Sequence, residues 1–323
     1  MKETPIDYVT VKEVIDSFNL QNFGAATIRE IVAIVNKIEM LTHQRYVRME
    51  MGVPGLEASK IGVEAEINAL KKGVASKYPM LDGLQELKKE ASRFIKAFID
   101  TDIESTHCVP VVGSMQGTFA SFLTCCQANP KKNKILFIDP GFPVQKQQLK
   151  VLGYEYETFD VYDFTLYQQI DLDHIICLNE EELKIVGELA NQYDVIVLED
   201  LAYFAMDFRK NLSRPFEAPF QSTVARYTDH YIMLISSSKA FSYAGQRIGV
   251  VGISDKLYKR SYEGLEKRYG VSGFGNVFVN RVLYSLSSGT SHSAQYALAA
   301  MFKAANDGEF NFLNDVKTYA HLA

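Results

Sequence analysis

The sequence predicts an α/β protein with a mostly parallel central sheet flanked by helices. Three observations carry this. From residue 108 onward, short apolar runs alternate with longer amphipathic stretches, the pattern of strands joined by crossover helices. Each apolar run ends in polar or small residues, and in such sheets ligands sit at the carboxyl ends of the strands. The composition, 47% hydrophobic and 23% charged over 323 residues, is that of a globular chain long enough for one large domain or two smaller ones.

The elements follow in order. Residues 1–50 read as a separate helical segment; over Ile28–Met40, for example, apolar residues return every three or four positions. Met51-Gly-Val-Pro-Gly55 breaks that pattern, and residues 51–323 read as the large domain. A helix is expected near 59–76, a turn over Tyr78–Gly83 and a further helix over Gly83–Phe98. Strands are expected at Cys108–Val112, Ile135–Ile138, Val195–Leu198, Ile232–Ile235 and Ile248–Ile253, with a helix over 255–268.

Composition also excludes functions. The net charge is −5 and no basic stretch is dense enough to bind a phosphate backbone. The first twenty residues carry charges throughout and lack the apolar centre of a signal peptide. No run of eighteen apolar residues suggests a membrane span. Cys108, Cys125, Cys126 and Cys177 form no CxxC pair and read as reduced, mostly buried thiols. No metal site is expected, and the chain is expected to be cytoplasmic.

Four segments carry chemistry. In Ser236-Ser-Ser-Lys239-Ala-Phe-Ser-Tyr-Ala-Gly-Gln-Arg247 a lysine follows an apolar strand. A desolvated lysine loses its proton more readily and can attack a carbonyl carbon to form an imine. Ser236 and Ser238 offer hydroxyls, and Arg247 a planar fork suited to phosphate oxygens. Asp200 and Tyr203 follow another apolar run; Asp200 reads either as a helix cap or as the partner of a protonated ring nitrogen. Gly113-Ser114-Met115 opens a helix, where free amides bind phosphate, though no GK[ST] follows and it is not a P-loop. Phe142, after Asp139-Pro-Gly, is an aromatic at a strand end, able to stack on a flat ring or to pack into the core.

Together these segments resemble the class I/II aminotransferases, fold-type-I enzymes that use pyridoxal 5'-phosphate (PLP). The family pattern is an aspartate, a tyrosine three residues later, then S-x-S-K with an arginine eight residues past the lysine. Asp200, Tyr203, Ser236, Ser238, Lys239 and Arg247 match it in order and spacing. The resemblance runs from about Met51 to the chain end. It implies that Lys239 holds PLP as a Schiff base and then acts as general base. It implies that Asp200 keeps the ring nitrogen protonated, that Tyr203 bonds the ring's phenolic oxygen and that Phe142 stacks on the ring. Gly113, Ser114, Met115, Ser236, Ser238 and Arg247 would form the phosphate cup. Gly52 would lie by the substrate carboxylate, and Tyr78 would reach the phosphate of a partner subunit in a homodimer.

Two departures stand out. The family's N-P-x-x-P stretch has no counterpart in Gln168–Leu178, which implies that residues near 160–176 are missing. The family also continues into a small domain carrying the arginine that grips the substrate carboxylate. That domain is expected to be absent or truncated here, leaving the arginine unassigned. The expected activity is transfer of an amino group from an amino acid to a 2-oxo acid. A PLP-dependent lyase or decarboxylase, or a non-catalytic PLP-binding regulator, is the alternative.

Overall fold

The computed structural model describes residues 7–20, 26–50, 52, 55–160, 178–207, 212 and 214–322. The interval 161–177, with its missing motif and Cys177, lies outside the described residues, as do Val53 and Pro54 of the early loop. The chain divides into two compact units, Met1–Val53 and Pro54–Ala323.

The described residues of the first unit form two helices. The Asp7 carboxylate caps α1 (Tyr8–Ser17) by accepting from the amides of Val9 and Thr10. Thr27 and Glu30 form a capping box on α2 (Ile28–Thr42), each satisfying an amide that the helix cannot. Val14, Ile34 and Ile38 are the buried centre of their contact.

The second unit opens with α3 (Lys60–Lys71). The expected helix to residue 76 is interrupted at Gly73, whose φ of +78° turns the chain into a short 3-10 turn, Val74–Ser76. Helix α4 (Gln85–Ile99) buries Leu87, Ala91, Phe94, Ile95 and Phe98 along one face. There follow β1 (Cys108–Val111), α5 (Gly113–Ala128), β2 (Ile135–Asp139), α6 (Pro143–Leu152) and β3 (Tyr156–Asp160). The last of these was assigned no strand from sequence. Then come α7 (Glu180–Tyr193), β4 (Val197–Leu201), β5 (Tyr231–Ser236) and β6 (Gly249–Ile253). The helix expected over 255–268 is two, α8 (Asp255–Lys259) and α9 (Glu263–Tyr269), parted where Ser261 pairs with Gly273. Helices α10 (Phe274–Val277) and α11 (Tyr284–Ser287) flank a π turn, Phe278–Leu283, before α12 (His292–Asn306) and α13 (Phe312–Leu322). No helix among the described residues is long and apolar enough to cross a membrane.

Among the described residues the strands form a sheet of order β1-β6-β5-β4 and a separate pair, β2-β3. Strand β4 runs parallel to β5, and β2 to β3, but β6 runs antiparallel to both β1 and β5. The sheet is therefore mixed, which corrects the mostly parallel expectation. The reason is the connection: residues 237–248 hold a 3-10 turn but no α-helix, and a parallel return needs a crossover, usually helical. Because β1, β4 and β5 still share a direction, their carboxyl ends lie along one edge.

Side chains alternate across this sheet, as the two-residue strand period requires. Val109, Val111, Ile232, Leu234, Val251 and Ile253 face one core, with α5 and α10. Cys108, Met233, Ile235 and Val250 face the other, with α4, α12 and α13. In that second core Phe94 stacks on Phe302 at 4.5 Å and touches Phe204 and Phe241 at 5.2 and 6.0 Å between ring centres. Phe204 adjoins Tyr203, and Phe241 lies two residues past Lys239. One aromatic cluster thus anchors both loops, and aromatic pairs contribute about 0.5–1.5 kcal/mol each beyond their burial.

Candidate active site

Strand register brings the candidate residues to one edge. Asp200 pairs with Leu234 and Leu201 with Ile235. Ser236 pairs with Gly249, which in turn pairs with Val111. Asp200 is thus inside β4 rather than beyond it, and on the face that Leu234 shares with α5. Antiparallel β6 starts at this edge, so Arg247, two residues before it, arrives beside the start of α5.

That meeting is tight. Gly113 has φ +66°, and a Cβ there would stand 2.6 Å from Arg247 Nη2. Only a residue without a side chain lets the guanidinium come so close. The first turn of α5 has no side-chain cap, so its amides and the positive end of its dipole are left for an acceptor. Ser114 Oγ is enclosed and has no hydrogen-bond partner, a costly arrangement unless something fills the space. Gly249 passes so near that a Cβ on it would stand 3.6 Å from the Ser114 amide nitrogen. The Met115 carbonyl accepts from Thr118 Oγ1 and Gln148 Nε2, fastening α5 to α6.

Lys239 sits in the turn after β5 and is partly buried. Its Nζ lies 5.4 Å from the centre of the Tyr203 ring, within cation–π range. Burial lowers its pKa from the ordinary lysine value, because an ammonium loses hydration there. The turn is knotted by its own hydrogen bonds. Ser237 Oγ donates to the Ile248 carbonyl at 2.7 Å, the Ser238 amide to Ser236 Oγ at 3.1 Å, and the Tyr243 amide to the Ser237 carbonyl at 3.1 Å.

Asp200 accepts from the Ala202 amide on one oxygen and from Gln145 Nε2, at 2.8 Å, on the other. Water reaches this carboxylate, yet protein surrounds most of it, and that desolvation raises its pKa despite the two donors. Its neighbour Glu199, on the opposite face, is more enclosed; burial pushes its pKa up to about 7, against bonds from Thr223 Oγ1 and the Val224 amide. Gln145 was not singled out in the sequence. The available signal was its place one helical turn after Phe142, on α6, with Pro143 starting the helix.

The structure therefore gathers Gly113, Ser114, Asp200, Tyr203, Ser236, Ser238, Lys239 and Arg247 at one sheet edge. Phe142 is the N-cap of α6 and 46% exposed; Gln145 ties its helix to Asp200. Tyr78, 93% exposed, has its side chain in solvent. Gly52 is exposed and belongs to the first unit.

Fold and site define an α/β protein with a partly buried lysine over a tyrosine ring, a glycine–arginine approach at a helix start and a desolvated carboxylate along one sheet edge. Residues 176–319 of the chain match the family model described as aminotransferase class I and II. It is 22% identical, over 264 residues, to a probable aspartate aminotransferase of Methanocaldococcus jannaschii, covering 75% of this chain and 64% of that protein. The chain thus spans somewhat less than two thirds of this curated relative. Two solved structures share the fold. One is a Methanococcus jannaschii protein described as similar in its active site to kynurenine aminotransferases, with TM-score 0.68, 19% identity, and 93% of this chain and 75% of that one covered. The other is an aspartate aminotransferase of Thermotoga maritima, with TM-score 0.66, 15% identity and the same coverage.

Proposed function

We propose that this chain is a PLP-dependent aminotransferase that moves an amino group from an amino acid to a 2-oxo acid, with Lys239 as the attachment point. The observation that carries this reading is the desolvated Lys239 amine over Tyr203, on the same edge as the Gly113–Arg247 contact and Asp200. The residues fit the cofactor. The uncapped start of α5, the unpartnered Ser114 hydroxyl and Arg247 suit a phosphate, with Gly113, Met115, Ser236 and Ser238 completing the cup. When bound, PLP supplies an electron sink for charge developing at the substrate Cα.

The chain's own groups do the rest. Asp200 would sit against the protonated ring nitrogen, and a cation there would return its raised pKa downward. Tyr203 would donate to the ring's phenolic oxygen, and Phe142 would cover a ring face. The Lys239 amine, once freed, would take the proton from the substrate Cα, which its lowered pKa favours. Gly52 would lie by the substrate carboxylate. Tyr78, with its side chain in solvent, would reach a second copy in a homodimer.

Borohydride reduction of the protein loaded with PLP, followed by peptide mapping, tests this reading. Label on the peptide containing Lys239 supports it, and label on another lysine refutes it. A panel of amino donors, aspartate among them because a relative's description names it, then tests the reaction. Formation of a 2-oxo acid with aminated acceptor is expected. Release of ammonia or carbon dioxide would instead mean a lyase or decarboxylase.

A further inference from the structure

We propose that Glu66 and Tyr243 are positioning residues that hold the Lys239 turn in register with the sheet edge; this rests on the reading of Lys239 given above. Glu66 lies in α3 and is only 8% exposed. A buried carboxylate is expensive unless donors face it. Here Tyr243 donates its hydroxyl to Oε2 at 2.6 Å and Ser293, on α12, donates to Oε1 at 2.9 Å. The first of these is the shorter bond. Tyr243 is four residues past Lys239 and buried. Burial, and then the bond to Glu66, raise its pKa, so the hydroxyl stays a donor. Helix α3 comes close because Gly62 leaves room: a Cβ there would stand 3.2 Å from Tyr243 Cε2 and 2.8 Å from Met301 Sδ. A second tie joins Ser242 Oγ to the Tyr319 hydroxyl at 3.2 Å, and that hydroxyl accepts from the Leu56 amide. The turn carrying Lys239 is thus fastened from outside the sheet by two side-chain hydrogen bonds, Tyr243 to Glu66 and Ser242 to Tyr319.

The experiment uses the full chain loaded with PLP and the variants Tyr243→Phe, Glu66→Ala, Glu66→Gln and Tyr243→Phe with Glu66→Ala. Tyr243→Phe keeps the ring that packs against α3. We expect its kcat to fall about tenfold or more, as small misplacements of reacting groups do, with KM changing less. The pH titration of the cofactor's visible band should move upward by about half a unit, because a loosened turn admits water and favours the charged nitrogen. Glu66→Ala should match it, the double variant should be no worse than either single one, and Glu66→Gln should recover part of the loss. Equal thermal destabilisation with a wild-type kcat and band titration would overturn the proposal, as would additive effects. A wild-type protein in which borohydride labels no Lys239 would instead overturn the reading of Lys239, and this proposal with it.

Discussion

The Lys239 nitrogen stands 5.4 Å from the centre of the Tyr203 ring. Two separate loops, one after β5 and one after β4, therefore meet at a cation and an aromatic face. The meeting separates what the ring does from what the hydroxyl does. Tyr203→Phe should attach PLP at Lys239 at a rate within about threefold of wild type, since the face is kept. Its turnover should fall about tenfold, the loss expected for one hydrogen bond to a charged group. Tyr203→Ala should lose both. Stopped-flow attachment and steady-state assays distinguish the two variants.

Gln145 holds one oxygen of Asp200. Asp200 already has a raised pKa through desolvation, and this donor opposes the rise. Gln145→Leu removes the opposition, so the folded pKa moves further up. On the proposed reading activity needs the ionised carboxylate and is lost as pH falls through that pKa. The acid limb of the kcat/KM profile should therefore move to higher pH. An unmoved limb would show that Gln145 does not support Asp200.

Gly113 lies so near Arg247 that a methyl group on it would displace the guanidinium. Gly113→Ala places an L residue at positive φ, costing about 1–2 kcal/mol, and pushes the guanidinium off the start of α5. We expect PLP affinity to fall by tenfold or more, measured by titration of the apoprotein, with a smaller change in thermal stability. Equal affinity would mean that Arg247 does not serve the cup.

Glu199 gives the stability of the fold a pH dependence. Its pKa is raised from 4.5 to about 7 by burial. The folded state therefore holds a proton that the unfolded state releases. The stability this group contributes is fully present below about pH 4.5 and is lost as pH rises through 7. Glu199→Gln should match wild type in acid and exceed it above neutrality, by on the order of 1–3 kcal/mol. Urea titrations at pH 4.5 and 8 would measure the crossover.

How much was legible beforehand differs from residue to residue. Asp200, Tyr203, Lys239 and Arg247 stand out in the sequence because their spacing along the chain is itself the signal. The strand cores were found because apolar runs that must be buried on both faces stand out against polar ends. Strand β3 escaped because Tyr-Glu-Thr-Phe-Asp offers only a short, half-polar alternation. Gln145 escaped because a glutamine in a helix's first turn looks like any solvated residue until its partner, Asp200, is known. Glu66 escaped for the same reason, its partners lying in Tyr243 and Ser293 far along the chain.

The sequence by itself determined which chemical groups each loop carries, an amine, a carboxylate, hydroxyls and a guanidinium, and at which strand ends they occur. Tertiary structure decided how the loops meet. Strand β6 turns back antiparallel, so its first residues share the edge where β1, β4 and β5 end. That reversal carries Arg247 to Gly113, across a separation that no local pattern encodes. The physical reason is that hydrophobic periodicity reports which face of an element is buried, whereas strand direction and register follow from the whole set of neighbours that bury it.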